Sequence, residues 1–90
     1  MKFAHRGLQR LYEHGDAKRL NPALVPRIRR VLTALDEATE PRHMDLPGWR
    51  LHPLKGDQAG HWSVSVSGNW RIIFCFDGSE AVGVNLIDYH

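Results

Sequence analysis

Asp88, Tyr89 and His90 put a carboxylate, a phenol and an imidazole side by side. They follow an apolar run, Ala81-Val82-Gly83-Val84-Asn85-Leu86-Ile87, that reads as a strand, so the three groups gather at the end of a sheet. Upstream, His52-Pro53-Leu54-Lys55-Gly56-Asp57 and Asn69-Trp70-Arg71 offer matching basic groups. Together these residues suit a phosphodiester. Cleaving RNA through its 2′-hydroxyl needs a base for that hydroxyl, positive charge on the phosphate and an acid for the leaving oxygen. Proton transfer works best from groups that titrate near the working pH, and histidine starts at about 6.5. Lysine, and above all the fork of arginine, stabilises the charge that builds on the phosphate.

The spacing says how each group can be presented. His52 alternates with Leu51, so its ring can point away from a core. Lys55 follows the Pro53-Leu54 break, just before a Gly56-Asp57 turn, and Pro53 limits where it can reach. Arg71 opens an apolar strand and must emerge on an open face or find a partner, because an unpaired buried charge costs several kcal/mol. Period two puts Asp88 and His90 on one face and Tyr89 on the other, where a phenol can stack on a base. Each group also has a structural reading: His52 as a surface strand residue, Lys55 as a turn lysine, Arg71 paired with Asp88 across the sheet, and 88–90 as a frayed tail. Spacing along the chain does not by itself show that the groups converge.

The elements that must position these groups form a simple series. Residues 1–4 read as a short edge strand. Residues 6–14 read as a helix, with Leu8, Leu11 and Tyr12 at spacing three and four and Gly15 as its stop. The strongest helical signal covers 22–39, where Leu24, Ile28, Val31, Leu32 and Leu35 form one stripe. Asn21 is a suitable N-cap, but Pro26 removes a hydrogen bond near the second turn and argues for a later start. Residues 41–48 connect to strands over 49–54, 61–67, 70–76 and 81–88. Residues 61–67 alternate cleanly, with Trp62, Val64 and Val66 on one face and His61, Ser63, Ser65 and Ser67 on the other. Strand 70–76 is apolar on both faces and reads as central, and Asp77-Gly78 reads as its hairpin turn. Two helices followed by a meander predict an α+β fold, the helices packed on one face of a four- to five-stranded antiparallel sheet.

Composition sets the outer limits. Ninety residues, 42% hydrophobic and 24% charged, suit one small globular domain rather than a disordered or membrane chain. No apolar stretch approaches the roughly 20 residues of a membrane span, and the N-terminus lacks a secretory apolar segment. Cys75 is the one cysteine and reads as a small strand residue, which fits a reducing, cytoplasmic setting. The net charge of +2 is unevenly spread: residues 1–30 carry eight basic against two acidic side chains, and the rest carries four against eight. That asymmetry suits a surface facing nucleic acid, or two helices with solvated arginine faces. His5, His14, His43, His52, His61 and His90 show no ligand spacing, so no metal and no cofactor is expected. Trp49, Trp62 and Trp70 read as core and sheet anchors.

Taken in order, Leu51-His52-Pro53-Leu54-Lys55-Gly56-Asp57, Gly60-His61-Trp62-Ser63-Val64, Asn69-Trp70-Arg71-Ile72 and Asp88-Tyr89-His90 resemble the HigB branch of the RelE/ParE toxin superfamily. Arg6-Gly7-Leu8 and Leu35-Asp36-Glu37-Ala38-Thr39 extend the resemblance over essentially the whole chain. It implies a microbial RNase fold formed by residues 1–90 as one toxin domain. It implies an mRNA interferase, an endoribonuclease that cleaves mRNA on the translating ribosome, inhibits translation and is neutralised by a HigA-like helix-turn-helix antitoxin in a hetero-oligomer. The family's active positions fall on His52, Lys55, Arg71, Asp88, Tyr89 and His90, with Asn69 as a substrate contact. On that reading Lys55 and Arg71 hold the scissile phosphate, His52, Asp88 and His90 share proton transfer, and Tyr89 orients a base or the phosphate. Two other functions compete: a non-enzymatic poison of DNA gyrase, as ParE relatives are, and a plain RNA-binding domain. The acid–base groups favour cleavage, because gyrase poisons of this fold generally lack them.

Overall fold

In the computed structural model, which describes residues 1–88, two helices precede a meander of four antiparallel strands. Helix α1 (Arg6–His14) has the bounds its sequence predicts. His5 caps it: the Leu8 N–H donates to His5 Nδ1 at 3.1 Å, satisfying one of the orphan donors of the first turn. Gly15 ends it with φ at +69°, a left-handed conformation that a side chain would resist. Leu8 and Leu11 face the core, but Tyr12 does not join them. Its hydroxyl donates to the Asp36 carboxylate, and its ring lies 5.4 Å from that of Phe3.

Helix α2 (Val25–Glu37) is shorter than the predicted 22–39 at both ends. Pro26 sits in the first turn, where its missing N–H costs nothing, so the start shifts to meet it. Asn21 therefore does not cap the helix. Its side-chain oxygen accepts from the Ala23 N–H, and its carbonyl accepts from Leu24, in a turn that precedes the helix. The predicted stripe of Leu24, Ile28, Val31, Leu32 and Leu35 is buried throughout. Ala38 leaves the helical conformation, and Pro41–Met44 forms a single 3-10 turn.

The sheet runs β1 (His52–Pro53), β2 (Trp62–Ser67), β3 (Trp70–Asp77), β4 (Glu80–Asp88), each paired with the next. The first strand is far shorter than the predicted 49–54. Arg50 has φ +51° and breaks the ladder between Trp49, whose carbonyl accepts from Ser65, and His52. Asp77 belongs to β3 and pairs with Glu80, so the tight turn is Gly78-Ser79, not Asp77-Gly78. Strand β4 carries a bulge at Gly83, φ +62°. Ile73 opposes Asn85 while Cys75 opposes Val82, so one extra residue on β4 lets Ala81 and Val84 both face the core. In place of a predicted edge strand over 1–4, Phe3 makes a single parallel bridge to Val84.

The core lies between the helices and one sheet face. Leu8, Ile28, Val31 and Leu35 meet Val64, Ile72, Phe74 and Val84. Each fully buried side chain of this size contributes about 1.5–3 kcal/mol. The opposite face is not simply solvated: Ser63 is 0% exposed, and Ile73 is also buried.

Candidate active site on the sheet face opposite the helices

The pleat and the register decide which groups share this face. Antiparallel partners point to the same side, and successive residues alternate. His52 opposes Ser63, Ser63 opposes Ile73, and Ile73 opposes Asn85, a row across all four strands. The adjacent row is Ser65, Arg71 and Ile87. His52 and Arg71 are thus two strands and one row apart, roughly 12 Å between backbone positions. A phosphate bound between an imidazole and a long guanidinium side chain fits that span. Beside Arg71, β2 carries a second bulge between Ser65 and Ser67, a device that twists a strand and re-aims neighbouring side chains.

Of the other predicted positions, Lys55 and Asn69 lie at turns, and Asp88 opposes Trp70, which packs on the core, so the pleat puts Asp88 on the helical side of the sheet rather than on the face of His52 and Arg71. Lys55 is exposed, in extended backbone just beyond β1, and leads into a 3-10 turn, Gly56–Gln58. The last rung before it joins the Leu54 N–H to the His61 carbonyl, so along the strands Lys55 and Arg71 lie on opposite sides of His52. Asn69 is exposed in the β2–β3 turn, two residues from Arg71. Asp88 is exposed at the end of β4 and opposes Trp70, whereas the register partner of Arg71 is Ile87. Tyr89 and His90 lie outside the described residues.

The ring of His52 is held on two sides. Its Nδ1 lies 3.2 Å from the Arg50 carbonyl oxygen. The Ser63 hydroxyl lies 3.4 Å from Nδ1 and 3.5 Å from Nε2. By sequence, Ser63 falls on a polar outer face and Arg50 inside a strand. Neither has a local signal for its contact with His52, because register brings Ser63 there and a backbone turn brings the Arg50 carbonyl. Further along the same face, Cys75 is a half-buried strand residue whose Sγ lies 3.8 Å from the Val82 carbonyl oxygen. Among the described residues, no three His, Cys, Asp or Glu side chains are grouped as a metal site needs.

The helical layer carries the basic third of the chain, but not all of it is offered outward. The Arg27 guanidinium donates to the Gly48 carbonyl at 3.1 Å and lies 5.6 Å from the Trp49 ring centre, pinning the 41–48 connection to α2. Arg10 pairs with Asp16 at 3.0 Å. The Lys18 N–H and the Arg10 guanidinium hold the Asp16 carboxyl below its usual range. Arg29 and Arg30 remain exposed, beside a groove of about 420 Å³ that Leu46 and Trp49 also line. Among the described residues no helix is long and apolar enough to cross a membrane.

Comparison with known proteins agrees over the whole chain. The family model for the RelE-like toxin of the type II toxin-antitoxin system HigB matches residues 1–90. The Endoribonuclease HigB of Proteus vulgaris is 43% identical over 88 residues, 98% of this chain and 96% of that protein. Among solved structures, a YoeB/ParE toxin from Agrobacterium tumefaciens superposes with a TM-score of 0.60 at 21% identity, covering 100% of this chain and 99% of the other.

Proposed function

We infer what this chain does from one premise: it belongs to the HigB-like family of RelE-like toxins of type II toxin–antitoxin systems. It is a toxin of such a system and an endoribonuclease. On our reading, residues 1–90 act as one domain that cuts mRNA on the translating ribosome in the cytoplasm. A HigA-like helix-turn-helix antitoxin holds it inactive in a hetero-oligomer.

The site residues are His52, Lys55, Arg71, Asp88, Tyr89 and His90, with Asn69 as a further RNA contact. Arg71 and Lys55 bind the scissile phosphate from either side of His52. His52, Asp88 and His90 share two proton transfers: one takes the 2′-hydroxyl proton as that oxygen bonds to phosphorus, and one protonates the departing 5′-oxygen. Tyr89 orients a base or the phosphate. The observation that carries this reading is the sheet register, in which His52 and Arg71 occupy adjacent rows of one face. Exposed basic groups of the helical layer, Arg29 and Arg30 among them, would meet ribosomal RNA by charge alone.

The test is growth and transcript mapping after induction. Asp88→Ala and His90→Ala should abolish growth inhibition while antitoxin binding and the fold persist, and the unmodified toxin should leave codon-phased 5′ ends in cellular mRNA. Full toxicity of both variants overturns the site. Toxicity without phased ends favours a gyrase poison instead.

A further inference from the structure

We propose that the Arg50 carbonyl and the Ser63 hydroxyl orient the His52 ring, the carbonyl fixing its proton on Nδ1, making Ser63 and the backbone at Arg50 positioning elements of the cleavage site. The inference rests on the reading of His52 as a proton-transfer group. It starts from two features that the fold alone does not require.

The first is Arg50. It is the only non-glycine residue with positive φ among the described residues. That conformation is costly for a residue with a β-carbon. The Arg50 side chain is exposed, so packing does not demand the strain. What the conformation does is interrupt the β1–β2 ladder and turn the Arg50 carbonyl oxygen to 3.2 Å from His52 Nδ1. A carbonyl only accepts hydrogen bonds, so the proton of a neutral ring belongs on Nδ1 and the lone pair on Nε2. The imidazolium keeps its Nδ1–H, so this bond survives a full proton-transfer cycle and the ring need not turn.

The second is Ser63, the one polar residue among the buried side chains described. A buried hydroxyl needs a partner, and among the described residues the hydrogen-bond partners of this side chain are the His52 ring nitrogens. The hydroxyl is almost equally far from both nitrogens, so it lies against the ring rather than along either lone pair; it fixes where the ring sits and leaves Nε2 open to substrate. Ser63 directly opposes His52 in the register, so the contact is built by strand pairing rather than by a mobile loop.

Long-range proton–nitrogen NMR of the His52 ring, paired with kcat and KM on ribosome-bound mRNA, tests the proposal. The unaltered protein should show a protonated Nδ1 and a bare Nε2; the reverse tautomer overturns the assignment. Arg50→Gly keeps the carbonyl and suits the positive φ, so it should keep both the tautomer and kcat within about 3-fold. Arg50→Val, whose branched side chain resists that φ, should lose the tautomer and lower kcat on the order of 10- to 100-fold with KM little changed. If Arg50→Gly falls as far as Arg50→Val, the side chain and not the carbonyl matters, and the proposal fails. Ser63→Ala should lower kcat by a similar factor, and Ser63→Thr should restore it. Unchanged kcat and ring spectra in folded Ser63→Ala would reduce Ser63 to a core residue. Cleavage by His52→Ala, in contrast, would overturn the site reading itself, whatever the ring spectra show.

Discussion

His52 reaches the sheet face on a strand of only two residues, and its neighbours make up for the short support. The Arg50 carbonyl, the Ser63 hydroxyl and the stiff Pro53 each restrict it. Arg71 has the opposite setting: it is half-buried in a long strand, between Ser65 and Ile87. A rigid strand suits the phosphate-binding role proposed for it, because a planar fork meets two oxygens at once and Lys cannot reproduce that geometry. Arg71→Lys should therefore lower kcat on the order of 10-fold or more, whereas Lys55→Arg at its exposed turn should stay within about 3-fold. Single-turnover cleavage of ribosome-bound mRNA measures both. The residue types at 52, 55, 71 and 88 are visible in sequence because their chemistry is intrinsic to the side chain. Ser63 is not, because a serine in an alternating strand looks the same whether it meets water or an imidazole.

At the scale of elements, α1 depends on an unusual cap. His5 Nδ1 must be unprotonated to accept the Leu8 N–H, and burial pushes the His5 pKa below its ordinary value, partly opposed by a backbone hydrogen bond. Because the folded-state value lies below the unfolded one, the unfolded chain binds more protons around and below about pH 6.5. The stability from this cap is fully present above that pH and is lost as pH falls through the folded-state value. His5→Asn keeps an N-cap acceptor without the titration, so it should unfold at a similar temperature at pH 8 and at a higher one than the native sequence near pH 5. Thermal unfolding across that range measures the difference. Gly7 belongs to the same device. A β-carbon there would lie 2.9 Å from His5 Cε1 and 3.2 Å from Arg19 Cβ. Gly7→Ala should thus lower the unfolding temperature despite about 1 kcal/mol of helix propensity in its favour. The bounds of α1 were legible because the apolar spacing and Gly15 agree. The start of α2 was less so, because Asn21 and Pro26 are both helix-start signals, and only Pro26 falls where the helix begins.

Across the whole molecule, the two layers divide the work. The helices carry much of the excess positive charge, and the far sheet face carries His52 and Arg71. If the helical layer meets ribosomal RNA, Arg29→Glu with Arg30→Glu should weaken ribosome binding and reduce the magnitude of its log–log salt slope by about 2. The His52 ring spectrum should not change. Filter binding over a salt series checks the first part and NMR the second. The sequence by itself determined the two-helix, meander architecture, the helical core stripe and the kinds of chemistry available, because periodicity and side-chain type are local properties. Tertiary structure alone decided that His52 and Arg71 share a face, that Arg71 opposes Ile87 rather than Asp88, and that Arg50 turns its carbonyl to a ring. Strand register, bulges and a left-handed residue are set by pairing between segments far apart in the chain. A one-residue slip in that pairing would send every one of these side chains to the other side of the sheet.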